Sequence, residues 1–130
     1  MPDSKTALTA GIAKIWHRHS ELVFRRVKFI ADALHLLNME QLPADLREQA
    51  GDDAHKLAGN LGSFGHPAGS EHARALEHMF LSEAQLTATE SEEMGLHLNQ
   101  LQEAVREIAD AMAATNLQAV TSDASEIEGR

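Results

Sequence analysis

The segment TESEEMGLHLNQLQEAVREIADAM, residues 89–112, determines the fold class of the chain. Its apolar residues recur at steps of four and three positions, and they are Met94, Leu98, Leu101, Val105, Ile108 and Met112. This spacing places them on one face of a helix and is typical of a helix in a bundle. Thr89 and Glu92 have the T-x-x-E spacing of a capping box, so we expect the helix to begin at Thr89.

The preceding segments repeat this helical periodicity. One apolar stripe extends from Val23 to Leu37 and ends ahead of the turn that contains Pro43. Proline is accepted in the first turn of a helix, so Pro43 and Pro67 mark the predicted starts of two more helices. The sequence contains no alternating apolar pattern of the kind that indicates a β-strand. The predicted fold is therefore all-α, an antiparallel up-down four-helix bundle.

The two ends of the chain are predicted to differ from the bundle. Ile12, Ile15 and Trp16 indicate a short extra N-terminal helix over about residues 7–19, either continuous with the next helix or bent against it. From Gln118 the sequence turns polar, so we place the domain at residues 1–117 and a frayed tail at residues 118–130. The last four residues, IEGR, resemble a protease recognition tag rather than part of a domain.

Composition excludes several classes of protein. The 130 residues suffice for one domain, and 43% apolar with 24% charged residues is typical of a globular chain. Cysteine is absent, which excludes disulfides, thiolate metal sites and cysteine catalysis. The net charge of −9 disfavours nucleic-acid binding. Without a long apolar run or a secretory signal, we expect no membrane association and a cytoplasmic location, and we expect a monomer.

Charge is distributed unevenly along the chain. Residues 1–29 contain six of the eleven Lys and Arg residues and two acidic residues. Such a basic helical face either docks an acidic protein surface or is a solvated flank that forms salt bridges with its neighbours.

The most informative residue is His55, in the third predicted long helix. At 100° per residue it points away from Leu57, which belongs to the buried stripe, and so toward solvent. Gly51, Gly59 and Gly62 lie four positions before, four after and seven after it, on the same face. Each glycine costs the helix about 0.5–1 kcal/mol relative to alanine. A face of this kind is expected where another protein's backbone must close over the imidazole.

The surroundings of His55 suggest that its imidazole acts alone on its helix. Asp52 and Lys56 form a polar rim, and positions 58 and 59 carry neither a nucleophile nor a metal ligand. A solvent-exposed imidazole is largely uncharged at neutral pH, so one ring nitrogen offers a lone pair. A rigidly held imidazole of this kind is suited to receiving and donating a phosphoryl group, because phosphoryl transfer depends mainly on positioning.

The segment AHKLAGNLGSFG, residues 54–65, resembles the phosphoacceptor motif of histidine phosphotransfer (HPt) domains. The positions that fall on the motif are His55, Leu57, Gly59, Phe64 and Gly65. The resemblance extends over about residues 7–117 and implies the same helical bundle. It implies that Nε2 of His55 accepts a phosphoryl group from a receiver-domain aspartate, or from a sensor or hybrid histidine kinase, and passes it to a response-regulator aspartate.

The resemblance also implies roles for other residues. Family members place a Glu or Gln on the next helix to hydrogen-bond the histidine, and Glu77 falls at that position, where it would orient the imidazole. The family's lysine three residues after the histidine is replaced by Ala58, which leaves Lys56 as the nearest cation, either neutralising phosphate or forming a salt bridge. The partner surface would comprise Gly51, Asp52, Gly59 and Gly62.

No cofactor of its own is expected for the chain, and Mg²⁺ would belong to the receiver partner. The sequence has no ATP-binding glycine loop, so we expect a phosphoryl carrier and not an autonomous kinase. None of the eight histidines has another histidine three or four residues away, and no metal site is predicted. Two alternatives stay open: the phosphoacceptor module of a larger chemotaxis-type kinase, and a non-catalytic helical adaptor.

Overall fold

A computed structural model describes the backbone of residues 4–128 and the side chains of residues 10–115. Four helices follow one another: α1 (Ser4–Asn38), α2 (Ala44–Ser63), α3 (Pro67–Leu81) and α4 (Ala88–Glu128). Helices that are consecutive in the chain pack against each other, and α4 returns to pack against α1. The described residues contain no β-strand. The predicted all-α bundle is confirmed. Within the same range no helix is apolar over a length sufficient to cross a membrane.

Contacts along the helices show their antiparallel arrangement. Arg26 of α1 donates to Asn60 Oδ1 of α2 over 2.8 Å, and Trp16, ten residues earlier, packs edge-on against Phe64 just after α2. Residues early in α1 therefore meet residues late in α2. At the other end of the bundle, the hydroxyl of Ser91 near the start of α4 donates to the side chain of Asn38, the last residue of α1.

The short extra N-terminal helix does not exist as a separate element. Helix α1 is continuous from Ser4 to Asn38, because no proline interrupts the segment that joins its two predicted parts. Trp16 is buried, and the centroid of its ring lies 5.0 Å from the ring centroid of Phe64. The first part of α1 thus covers the C-terminal end of α2.

The apolar stripes of the four helices meet in one core. Its largest fully buried side chains come from every helix, and they are Val23, Ile30, Leu57, Leu61, Leu76, Phe80, Met94 and Leu101. Val105 and Ile108 of the α4 stripe are also buried in this core. Leu98 and Met112, the other two members of the stripe, are partly buried against it. The periodicity therefore identified the inner faces of the helices correctly.

The predicted start of α4 is wrong by two residues. The capping box is formed by Thr87 and Glu90, and not by Thr89 and Glu92: the Glu90 N–H donates to Thr87 Oγ1 over 3.1 Å, and the Thr87 N–H donates to Glu90 Oε1 over 3.4 Å. The sequence TATESEE contains the T-x-x-E spacing twice. The first copy is used because Leu86, directly before Thr87, packs against the core.

The backbone of α4 continues beyond the boundary predicted at residue 117, as far as Glu128. That boundary therefore does not coincide with the end of a helix. The side chains of the predicted tail, and its last two residues, lie outside the described part of the chain.

Arg47 of α2 fixes the end of α3. Its guanidinium donates to the carbonyl oxygens of Phe80 over 2.7 Å, of Met79 over 3.3 Å and of Ser82 over 2.5 Å. The last carbonyls of a helix have no partner within it, so a cation there satisfies them and interacts favourably with the helix dipole. The contact holds the C-terminal turn of α3 against α2.

Candidate functional site

His55 lies near the middle of α2, on the face that points away from the core. Its side chain is 76% exposed, whereas the neighbouring Ala54 and Leu57 are fully buried. The direction predicted from the helical periodicity is therefore correct. The imidazole is held on a regular helix and is open to a partner.

Glu77 comes to His55 from the adjacent helix α3. Glu77 Oε2 lies 2.6 Å from Nδ1 of His55, and the Glu77 side chain is 22% exposed. When Glu77 is ionised it only accepts hydrogen bonds, and Nδ1 of His55 then carries the proton and donates a hydrogen bond to Glu77. In the neutral ring this leaves Nε2 with the lone pair. The arrangement therefore leaves one unprotonated ring nitrogen on the exposed side chain.

Two of the three glycines on the His55 face border open space. A Cβ at Gly59 would meet no atom within 4 Å, and at Gly62 it would meet only Ser70 Oγ at 3.8 Å. Gly51 is different, because it is buried and a Cβ there would lie 2.5 Å from Cδ2 of Leu81. The prediction that Gly51 belongs to the open surface is wrong: its missing side chain makes room for α3.

Lys56 and Asp52 are both exposed beside His55. Lys56 is on the side of α2 that faces α1, where it lines a shallow groove with Arg26 and Asp53. Burial raises the pKa of the Asp53 carboxyl, while Lys56 and then Arg26 act against this rise. Within the described residues, no carboxylate lies within salt-bridge distance of Lys56. Its ammonium group is therefore not held in an ion pair there.

Ala58 occupies the position where the HPt motif has lysine. It is 4% exposed, and its carbonyl oxygen accepts a hydrogen bond of 2.7 Å from the hydroxyl of Ser70 on α3. Ser70 is itself buried. This hydrogen bond attaches α2 to α3 one turn after His55. Sequence reasoning missed it because a serine in an apolar stripe does not indicate which carbonyl will receive its hydroxyl.

The α1 side of α2 has a second polar attachment that the sequence did not reveal. The guanidinium of Arg26 donates to Asn60 Oδ1 over 2.8 Å in a partly buried contact. Together with the bond from Ser70 to Ala58, it positions the His55 helix from both sides. As for metal ions, the described residues contain no group of three or more histidine or acidic side chains able to hold one.

Comparison with known proteins identifies the family. The family model of the Hpt domain matches residues 26–111, more than half of the chain, including His55 and Glu77. No curated protein and no solved structure shows a significant match. Hpt domains act in phosphotransfer in two-component signalling, where they interact with receiver domains and kinases. With this match, the helical bundle and the exposed histidine on α2, the chain belongs to the Hpt domain family.

Proposed function

We propose that this chain is a phosphoryl carrier in which Nε2 of His55 accepts a phosphoryl group and later donates it to a response-regulator aspartate. The donor is a phosphorylated receiver-domain aspartate or a sensor histidine kinase. The observation that carries the proposal is the pairing of a 76% exposed imidazole with a carboxylate 2.6 Å from its Nδ1. This pairing makes Nε2 the nucleophile.

The transfer is a displacement at phosphorus. The Nε2 lone pair of the neutral imidazole forms the new N–P bond while the bond between phosphorus and the donor's carboxylate oxygen breaks. The donor aspartate leaves with that electron pair as a carboxylate. The proton on Nδ1 stays in its hydrogen bond to Glu77, so the positive charge that develops on the ring faces a negative one. Donation to the next aspartate is the reverse of these steps.

Lys56 supplies a nearby positive charge from this chain. It is exposed, one position after His55, and its stem is long enough to bend toward a phosphoryl group. We propose that it takes part of the role of the lysine that the motif has at position 58. The Mg²⁺ ion and the remaining charge stabilisation would come from the receiver.

The surface around His55 fits a transient protein partner. Gly59 and Gly62 carry no side chains to obstruct an approach, and Asp52 adds an exposed charge at the rim. We propose these three residues as the partner-binding surface. Gly51 is left out because Leu81 occupies the space beside it.

The proposal is tested by incubating the chain with receiver domains that carry a phosphoryl group. We expect the wild type to gain an acid-labile, base-stable phosphate, detected on a phosphate-affinity gel and by mass spectrometry. His55→Gln removes the acceptor and should gain none. His78→Gln is the matched control, because His78 is an exposed histidine on α3, and it should behave like the wild type. Equal labelling of both variants would contradict the assignment to His55.

A further inference from the structure

Within the described residues, two polar side-chain contacts join α4 to α3 and to its N-cap residue His66, and both involve histidine. His66 Nε2 lies 2.8 Å from Glu107 Oε2, and His72 Nδ1 lies 3.0 Å from His97 Nδ1. Elsewhere the two helices approach closely at small residues, as at Gly69 of α3 and Ala104 of α4. Protonation therefore acts on both of the polar attachments.

The contact between His72 and His97 depends on the number of protons that the two rings share. A hydrogen bond between two Nδ1 atoms needs one protonated nitrogen, which donates, and one bare nitrogen, which accepts. When both rings are charged, each Nδ1 carries a proton, no acceptor remains, and two positive charges face each other. The 3.0 Å contact is therefore compatible only with states in which at least one ring is neutral.

The surroundings of His97 favour its neutral form. Burial lowers the pKa of His97, and the neighbouring His72 lowers it further, while Glu93, one turn earlier on α4, acts in the opposite direction. The ring centroids of the two histidines lie 5.2 Å apart. Charging the second ring thus meets both a desolvation cost and repulsion from the first.

The other contact responds to acid differently. His66 Nδ1 accepts a hydrogen bond of 3.0 Å from the Gly69 N–H and so caps the start of α3. A proton on Nδ1 would remove this acceptor, but the resulting charge would strengthen the bond from Nε2 to Glu107. Acid therefore does not separate His66 from α4.

We propose that the His72–His97 pair is a proton-operated latch between α3 and α4. It is closed while at least one imidazole is neutral and opens when both are charged. Because α3 also carries Glu77, the open latch leaves the partner of His55 on a less firmly held helix. The latch does not depend on phosphotransfer, and its test requires neither a donor nor a receiver.

The test compares urea unfolding of the wild type and His97→Asn from about pH 7.5 to about pH 5, in buffer with EDTA to exclude metal ions. An asparagine amide occupies the Nδ1 position and can donate to neutral His72 or accept from charged His72, so the contact survives without titrating. The wild type should lose more stability on acidification. Its unfolding constant should rise by about tenfold more for each unit by which burial and His72 together depress the pKa of His97.

The sign follows from proton linkage. A histidine whose pKa is depressed in the folded state binds its proton more readily in the unfolded chain, so its contribution to stability is lost as the pH falls below about 6.5. His72→Asn should flatten the pH dependence only in part, because it removes the repulsion from His72 but leaves His97 buried. His19→Asn, at an exposed histidine on α1, is the matched control and should follow the wild type. Only the change with pH is compared, so a constant loss of stability in a variant does not affect the result.

A second measurement locates the opening. Amide hydrogen exchange, corrected for intrinsic rates, should accelerate along α3 at about pH 5 in the wild type and not in His97→Asn. Parallel stability curves for these two proteins would overturn the proposal. NMR spectra showing both rings charged while the α3 amides stay protected would also overturn it.

Discussion

Glu77 Oε2 lies 2.6 Å from Nδ1 of His55, although the two residues belong to different helices. The position of Glu77 depends on how α3 is held against α2. Arg47 of α2 donates to carbonyl oxygens at the end of α3. Ser70, in the first turn of α3, donates to the carbonyl oxygen of Ala58 on α2. The orientation of the imidazole is therefore set by interhelical contacts on both sides of Glu77 along α3.

Replacing Glu77 should slow phosphorylation of His55. Glu77→Ala removes a hydrogen bond to a charged group, a type of interaction that contributes about 1.5–3 kcal/mol, so the rate should fall by about tenfold to a hundredfold. Glu77→Gln keeps an acceptor for the Nδ1–H without the charge. Its rate of phosphorylation should lie between those of the wild type and Glu77→Ala. NMR of the ring nitrogens should show that the Nδ1-protonated tautomer of His55 loses its predominance in Glu77→Ala. An unchanged rate with an unchanged tautomer would contradict the positioning role.

Removing the charge of Lys56 should slow transfer severalfold without changing the fold. Lys56→Gln loses the exposed cation beside His55, while the length of the side chain is nearly kept. Lys28→Gln is the control, because Lys28 is also exposed but is paired with Asp32 on α1 at 3.4 Å. Single-turnover transfer from a phosphorylated receiver would measure both. Equal rates for the two variants would show that Lys56 has no special role.

Substitutions at Gly59 should affect the free energy of unfolding and the rate of phosphotransfer differently. Gly59→Ala should raise the free energy of unfolding by about 0.5–1 kcal/mol, because the helix gains and no atom lies within 4 Å of the new Cβ. Gly59→Leu should remain folded but transfer phosphate poorly, since the side chain projects into the proposed partner surface. Gly95→Leu on α4 is the control, with equally open surroundings at its Cβ. Normal transfer by Gly59→Leu would argue against a partner approaching over this position.

Alanine at Gly69 should have the opposite effect on stability. Its Cβ would lie 2.7 Å from Cβ of Ala104, an atom fixed to the α4 backbone, and 3.1 Å from Nδ1 of His66. Such overpacking typically costs about 1–3 kcal/mol, which outweighs the gain in helix propensity. Urea unfolding of Gly69→Ala beside Gly59→Ala would show the contrast. A stabilised Gly69→Ala would mean that α3 and α4 separate at little cost.

Loss of the Arg47 guanidinium should destabilise the bundle. Arg47→Ala leaves the carbonyls of Phe80 and Ser82 without their partner, and we expect the free energy of unfolding to fall by about 2 kcal/mol. Arg106→Ala removes an exposed ion pair with Glu103 and should cost less than about 0.5 kcal/mol. Urea denaturation under the same conditions would measure the free energy of unfolding of both variants. Similar losses would refute the role of Arg47 at the end of α3.

The periodicity of the sequence predicts features that depend on a single helix, such as which of its faces is buried. The inner stripe of α4 and the outward direction of His55 both follow from 100° per residue, and both are correct in the structure. The continuity of α1 does not follow from the sequence, since residues 7–19 favour a helix in either arrangement. The start of α4 was misplaced because the capping sequence occurs twice and only the packing of Leu86 selects the first copy.

The periodicity of the sequence does not predict features that depend on contacts between two helices. Gly51 shares a face with His55 on α2, but the path of α3 brings Leu81 over it and not over Gly59. His72 and His97 are 25 positions apart, so a search for histidines at helical spacing cannot find their contact. Crossing positions of helices are set by the packing of many side chains at once, and a single sequence does not display them.

The one bare nitrogen of His55 has a kinetic consequence for the proposed carrier. With Nδ1 committed to Glu77, donor and acceptor must both reach Nε2 over the same side of α2. Their binding is then mutually exclusive, and turnover follows a ping-pong scheme in which the first protein must depart before the second arrives. An unphosphorylated donor competes with the acceptor for phosphorylated His55, so an excess of the donor returns more of the phosphoryl groups to it.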